Sequence, residues 1–299
     1  MTEDTPTQAP RHRKPFRLLL WVVLGGLLLV WLMNIFGSDL DLSGEDRIAV
    51  IRVEGVILDA QQTVGDLKKF AENPTVKAIV LRIDSPGGGV VPSQEIHDAV
   101  KRVRNKNNKA VIASMGTVAA SGGYYIAAAA DRIIANPGTL TGSIGVIMEL
   151  ANLEGLLKKI GVESVVVKSG QHKDLGSPFR KMSEGDRHIL QSVMDDVHDQ
   201  FIEAVAEGRS LDIKDVRPLA DGRIFTGRQA KDIKLVDELG DLEDAIRLAA
   251  DMAGIEGEPK VVEPRKRFSI RDLIESHLFG PLPRWDFQTG VNLKYLMAF

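Results

Sequence analysis

The chain has 299 residues, 44% hydrophobic and 26% charged, with a formal net charge of −3 and no cysteine. That is the composition of a globular protein with a sizeable core, and it argues against a disordered chain, a collagen-like repeat or a coiled-coil rod. The absence of cysteine excludes a disulfide framework, a thiolate zinc site and a cysteine nucleophile together. Residues 1–36 carry four basic and two acidic side chains, so the remainder is the more acidic, at −5, which argues against a nucleic-acid footprint.

In chain order, the first feature is an apolar run. From Leu18 to Met33 every residue is apolar or glycine, and Phe16, Ile35 and Phe36 extend it to the roughly 20 residues that a spanning helix needs. Arg11, Arg13, Lys14 and Arg17 precede it, and Asp39, Asp41, Glu45 and Asp46 follow it, so the positive-inside rule leaves the N-terminus in the cytoplasm. A cleaved signal peptide would show small residues at alternate positions after its apolar core, and Ile35-Phe36-Gly37-Ser38 does not. The expected organisation is a cytoplasmic tail over 1–15, a transmembrane anchor over 16–36, a linker over 37–46, a catalytic domain over 47–256 and a peripheral segment over 257–299.

Residues 47–58 and 77–83 are short, β-branched apolar runs of the kind that form buried strands. Helical stretches follow at 64–72 and 94–105, then a strand at 110–114, a small-residue helix at 121–130, a strand at 132–135, a helix at 152–160 and a strand at 164–168. The longest helix carries Ile189, Val193, Val197, Phe201 and Val205 at i+4 spacing, and Ser183 with Asp186 reads as its capping box. Elements at 226–234 and 241–253 close the domain. Such alternation predicts an α/β fold with its active residues on connections at strand ends.

Three glycine-rich turns interrupt these elements. Asp84-Ser85-Pro86-Gly87-Gly88-Gly89 follows a strand and precedes a helix, which suits a phosphate site or an oxyanion hole equally. The Gly-Lys-Ser/Thr of a P-loop is missing downstream. Ala119-Ala120-Ser121-Gly122-Gly123 places a serine at a strand-to-helix turn among residues too small to shield it. Taken alone, Ser121 is an N-cap before a packing helix. Thr141-Gly142-Ser143-Ile144-Gly145 is, taken alone, an ordinary turn.

A serine nucleophile needs a base. Of the six histidines, His12 is on the cytoplasmic side, His188 and His198 lie on the long helix and His277 is in the tail, leaving His97 and His172. Neither belongs to a Gly-x-Ser-x-Gly elbow. Lys173, in Ser169-Gly170-Gln171-His172-Lys173-Asp174, is the other available base, although a loop lysine taken alone is a solvated charge. It works as a base near neutrality only where its pKa is lowered by burial.

In combination these segments say more. DSPGGG, AASGGYYIA, TGSIG, SGQHKD, GRIFTGRQA and LVDELG, in that order from about Arg47 to Ala253, resemble the signal peptide peptidase A family, membrane-anchored Ser-Lys peptidases of bacteria, in its short single-domain form. The resemblance implies Ser121 as nucleophile, Lys173 as general base, Ser143 as the hydroxyl that orients the base, and Gly88 and Gly122 as backbone oxyanion donors. It implies the spiral of ββα units shared with the ClpP and crotonase enzymes. It also implies hydrophobic peptides, such as cleaved signal peptides, as substrates at the inner membrane, with the catalytic domain extracytoplasmic.

No cofactor is implied, and no HExxH or paired ligand spacing points to a metal. Longer relatives divide the serine and the lysine between two tandem domain copies. The single copy here predicts a ring-shaped homo-oligomer whose dyad is shared between neighbouring subunits. Two alternatives stay open on the sequence: a crotonase-type acyl-CoA enzyme on the same fold, and a membrane-anchored scaffold whose serine and lysine are structural.

Overall fold

A computed structural model describes residues 21, 24–26, 45–264 and 294–297 of the chain. Residues up to 45 form one unit and the rest a second. In the first, residues 21 and 24–26 are helical; the remainder of the expected anchor over 16–36, and nearly all of the linker over 37–46, lie outside the described residues. Among the described residues no helix is long and apolar enough to cross a membrane.

The second unit is a mixed α/β fold around one central sheet. Strand β1 (Arg47–Glu54) leads through α1 (Gln61–Glu72) to β2 (Val76–Ser85) and the short β3 (Gly87–Gly89), then α2 (Val90–Asn107) and β4 (Ala110–Ala120). Helix α3 (Gly122–Ala128), β5 (Arg132–Ala135), β6 (Leu140–Gly142) and α4 (Glu154–Lys159) follow. The long α5 (Glu184–Arg209), the single turn α6 (Ile213–Val216), β7 (Ile224–Thr226), α7 (Gly227–Asp232), β8 (Glu238–Leu239), α8 (Leu242–Ala253) and β9 (Lys260–Val262) complete the series, and β10 (Lys294–Leu296) pairs with β3 in a separate two-stranded antiparallel sheet.

The sheet order is β7-β6-β4-β2-β1-β9, parallel throughout except for the antiparallel β6–β7 pair. β4 is long enough to carry two partners. Ile112–Met115 pairs with β5, and Val118–Ala120 pairs with β6. The switch falls at Gly116, where a Cβ would stand 2.8 Å from the Asp84 side chain, and the Asp84 carboxylate takes the Val118 N–H at 3.0 Å. That change of partner carries Ala120, and with it the following turn, away from β5 and toward β6.

Both faces of the sheet are covered, as nearly continuous apolar strands require. The larger core packs α1, α2, α3 and α5 on one face through residues such as Leu67, Phe70, Ile96, Val100, Ile126 and Phe201. On the other, Ile48, Val50, Ala78, Val80 and Ile112 meet Ala245, Ile246 and Ala249 of α8. α3 is wholly buried, and its alanines and glycines let neighbouring backbones close in: a Cβ on Gly208 of α5 would stand 2.0 Å from the Ala128 carbonyl oxygen.

Most predicted elements form. The Ser183–Asp186 capping box is present with both reciprocal bonds, at 3.1 Å each. Residues 164–168 do not form a strand. They run without a ladder, and Val165 and Val167 are 80% and 96% exposed. Local β-branching is satisfied only where a partner strand completes the hydrogen bonds, and among the described residues none is offered.

Candidate active site

The turn after β4 brings three of the five predicted site residues together. Ser121 sits between β4 and α3 with φ 52° and ψ −117°, a conformation that side-chain-bearing residues seldom adopt. Its N–H donates to the Gly142 carbonyl at 2.8 Å and its own carbonyl accepts from the Tyr125 N–H at 2.8 Å, so the main chain is pinned on both sides. The side chain does not cap α3, contrary to the N-cap role the serine would have taken alone, and its buried hydroxyl has no hydrogen-bond partner among the described residues. The strained backbone leaves the hydroxyl uncommitted, without the base that a serine nucleophile needs within hydrogen-bond reach.

Gly88 and Gly122 lie against each other. A Cβ on Gly122 would stand 3.2 Å from the Gly88 nitrogen, and one on Gly87 would stand 2.7 Å from the Gly122 nitrogen. The backbone nitrogens of Gly88 and Gly122 therefore lie close together at the turn that carries Ser121. β3 is held there by Ile57, whose N–H donates to the Gly87 carbonyl and whose carbonyl accepts from the Gly89 N–H, at 2.9 and 2.8 Å. A Cβ on Gly88 would meet the Ile57 carbonyl oxygen at 2.1 Å, so this close approach requires glycine.

Ser143 follows β6 directly, one residue past the Gly142 carbonyl that holds Ser121. Its φ is 49°, its N–H donates to the Arg223 carbonyl at 2.8 Å, and the residue is buried. It borders a groove of about 840 Å³ that also touches Ile147, His198, Asp221, Leu296 and Met297.

Lys173 is placed differently. It stands in an exposed turn on residues 171–176, and it makes no hydrogen bond to the partnerless Ser121 hydroxyl. The turn is stapled by charge. Arg180 donates to both Asp174 oxygens at 2.8 and 3.1 Å and to the Asp186 carboxylate, while Lys168 reaches Asp174 at 2.6 Å. The guanidinium, then Lys168, hold the Asp174 carboxyl well below the ordinary range, and Arg180 with the Ser183 N–H does the same for Asp186. Since Asp186 caps α5, the lysine loop is fixed to the start of the longest helix.

His97 offers no alternative base. It is buried on α2 with its ring 4.8 Å from that of Tyr125, its Nδ1 is 3.2 Å from Asp98, and burial pushes its pKa down. His172 is half exposed, 3.8 Å from Asp186. The aromatic set of Tyr125, Phe201 and Tyr295 has no signature in the sequence, since its members are far apart in the chain.

Residues 103–256 match the model of peptidase family S49, and residues 45–139 match that of Clp protease. The chain belongs to peptidase family S49. A Synechocystis sp. protein named as a protease is 46% identical over 215 residues, covering 72% of this chain and 77% of that one. An Enterococcus faecium protein named as signal peptide peptidase SppA is 40% identical over 213 residues, 67% of this chain and 62% of the other. Protease 4 of Haemophilus influenzae is 37% identical over 216 residues, 69% of this chain and 35% of the longer relative. The chain is thus an SppA-type S49 serine protease, and its α/β fold with a central sheet is consistent with the Clp protease match over residues 45–139.

Proposed function

We propose that this S49 chain is a Ser-Lys endopeptidase, built on the ClpP-like spiral of ββα units, that degrades hydrophobic peptides such as cleaved signal peptides at the bacterial inner membrane. The observation that carries the reading is Ser121: buried, held at positive φ, without a side-chain hydrogen-bond partner among the described residues, and close to the backbone nitrogens of Gly88 and Gly122. In this mechanism neutral Lys173 accepts the Ser121 proton as Oγ attacks the scissile carbonyl. The Gly88 and Gly122 N–H groups receive the oxyanion, the amine leaves with a proton from Lys173, and a water activated by the lysine then hydrolyses the acyl-enzyme. Ser143 orients the lysine.

The dyad is shared between subunits of a ring. Two features support this: Ser121 has no base within hydrogen-bond reach among the described residues of its own chain, and Lys173 is presented outward on an exposed turn beside the unpaired Val165–Val167 edge. The anchor over 16–36, single-pass with the N-terminus cytoplasmic, fixes the catalytic domain on the extracytoplasmic side. The deciding experiment is digestion of a labelled signal peptide by wild type, Ser121→Ala and Lys173→Ala, alone and mixed. Each variant alone should be inactive and the mixture should recover partial activity. Subunit exchange without recovery would place the dyad within one chain, and an active Ser121→Ala would end the peptidase reading.

A further inference from the structure

The Ser121 turn stands at one end of the central sheet, and the opposite end carries a concentration of positive charge that the reaction does not use. β1, β2 and β4 run parallel and start together, with Arg47 opposite Val76 and Ala78 opposite Ala110. Ser121 follows the last residue of β4, eleven residues of strand and about 35 Å from that start. Residues 68–77 and 101–109 end α1 and α2 and lead to β2 and β4. They hold eight basic side chains and one acidic, in a chain of net charge −3.

Most of these cations are engaged. Lys77 pairs with Asp46 at 3.2 Å, Lys101 with Glu207 at 2.6 Å and Arg104 with Asp131 at 2.7 Å. Lys109 donates to the Phe70 and Asn73 carbonyls and ties the end of α1 to the start of β4. Lys68, Arg102 and Lys106 are exposed and have no ion-pair partner among the described residues. All three line one groove of about 240 Å³ between α1 and α2. Its floor is apolar, with Val64, Leu67 and Val103, and Glu72 is the single acidic side chain on its rim. The dipole of α2 favours a cation such as Lys106 in its last turn, but it accounts neither for Arg102 a turn earlier nor for Lys68 on a different helix.

The chain enters the domain at this same end. Arg47 opens β1 there, its N–H donating to the Thr75 carbonyl at 2.8 Å. The expected linker over 37–46 joins it to the apolar run over 16–36, and about ten extended residues reach no more than about 35 Å. A bilayer that holds the anchor is therefore always within reach of the basic end. An apolar hollow rimmed by cations complements an anionic phospholipid, whose phosphate takes the charge and whose glycerol-ester region covers the apolar floor.

We propose that the groove between α1 and α2 docks the catalytic domain on anionic phospholipid headgroups of the bilayer, with Lys68, Arg102 and Lys106 on the phosphates. Docked in this way, the strand starts face the lipid and the Ser121 turn stands at the far end of the sheet, so a peptide must leave the bilayer before it is cut. That a bilayer is at hand rests on the anchor reading above; the affinity of the groove for anionic lipid does not.

The full-length protein lacks cysteine, so a single one placed at the exposed Asn105, next in the chain to Lys106, carries a fluorophore. The protein is reconstituted with vesicles of phosphatidylcholine alone or with about one third phosphatidylglycerol, each containing a headgroup-labelled quencher. Flotation reads attachment, and quenching reads docking. Arg102→Glu with Lys106→Glu is compared with Lys214→Glu and Lys231→Glu, an equal change of charge at exposed lysines on α6 and α7. Wild type and the α6/α7 control should be quenched only on the phosphatidylglycerol vesicles. Each cation near an anionic surface strengthens attachment about fivefold, so the groove variant should lower the docked-to-undocked ratio about 25-fold or more. Raising salt from about 0.1 to about 0.5 M should release wild type as well, a readout that needs no groove substitution.

Equal quenching on both vesicles, or quenching that the groove variant retains, would overturn the docking and leave the anchor standing. A smaller species of the groove variant in sedimentation velocity, with no lipid-dependent quenching in wild type, would overturn it in favour of a contact between copies of the chain. Flotation confined to phosphatidylglycerol vesicles and abolished by salt and by the groove variant would uphold the docking and sink the anchor instead.

Discussion

Ser121 adopts its φ of 52° and ψ of −117° without any side-chain bond to reward it. For a residue with a Cβ this conformation costs about 1–3 kcal/mol, so the stability that keeps it must come from the two backbone bonds and the packing of α3. A comparison of two inactive variants isolates the strain. Ser121→Ala removes an unbonded hydroxyl and keeps the Cβ, so its unfolding free energy should stay within about 0.5 kcal/mol of wild type. Ser121→Gly relieves the Cβ, and should be more stable than Ser121→Ala by about 1 kcal/mol in urea denaturation. Equal stabilities would mean that the turn is not strained. The serine and its glycine neighbours are legible in the sequence because they are adjacent; the missing cap bond is not, because an N-cap and a nucleophile present the same letters.

At the scale of elements, two glycines make opposite predictions from one chemistry. Gly65 lies inside α1 with no atom within 4 Å of the place its Cβ would occupy, so Gly65→Ala should stabilise by about 0.5–1 kcal/mol and leave proteolysis unchanged. Gly88→Ala would drive a methyl into the Ile57 carbonyl at 2.1 Å and push β3 off its seat, costing about 1–3 kcal/mol and peptidase activity together. Calorimetry of the two variants checks both signs.

The lysine turn gives a pH prediction. Asp174 and Asp186 have folded pKa values depressed by Arg180, so their ion pairs hold the 168–180 segment fully above the ordinary aspartate value of about 4 and release it as pH falls through the lower folded values. Arg180→Met weakens that dependence, leaving only the Lys168–Asp174 pair and the Ser183–Asp186 bonds. Amide exchange across residues 168–176 should be slow in wild type at pH 7 and quicken only in acid, whereas in the variant it should be fast already at pH 7. Peptidase activity should fall with it, since the proposed base loses its anchor; unchanged exchange at pH 7 would show that the staple is dispensable.

For the molecule as a whole, the outward face of residues 162–167 matters most. Val165, Val166 and Val167 are exposed on a stretch without strand partners, as are Leu156 and Ile160 just before it in the chain. An unpaired, β-branched edge of this kind invites pairing with another chain. Val165→Asp with Val167→Asp should therefore shift the protein to a smaller species in sedimentation velocity at micromolar concentration. On the proposed sharing of Ser121 and Lys173 between subunits, activity should be lost in step, while the thermal transition moves little for changes at exposed sites. A variant that stays assembled and active would remove this face from the interface.

The order of strands and helices, the capping box of α5 and the glycine turns are set by local patterns in the sequence, since each depends on neighbours within a few positions, whereas the role expected of Ser121 comes only from several motifs taken together. Periodicity at 164–168 misled because a strand is completed by its partner, and the partner is not local. The segment after 257 read as peripheral, yet Tyr295 is fully buried and paired with Gly88. Nothing in Leu-Lys-Tyr-Leu-Met-Ala-Phe signals that place. It is decided by the juxtaposition of β3, Ile147, Tyr125 and Phe201, residues dispersed over more than a hundred positions, and by the main-chain hydrogen bonds that only the folded sheet and its glycine strand leave open.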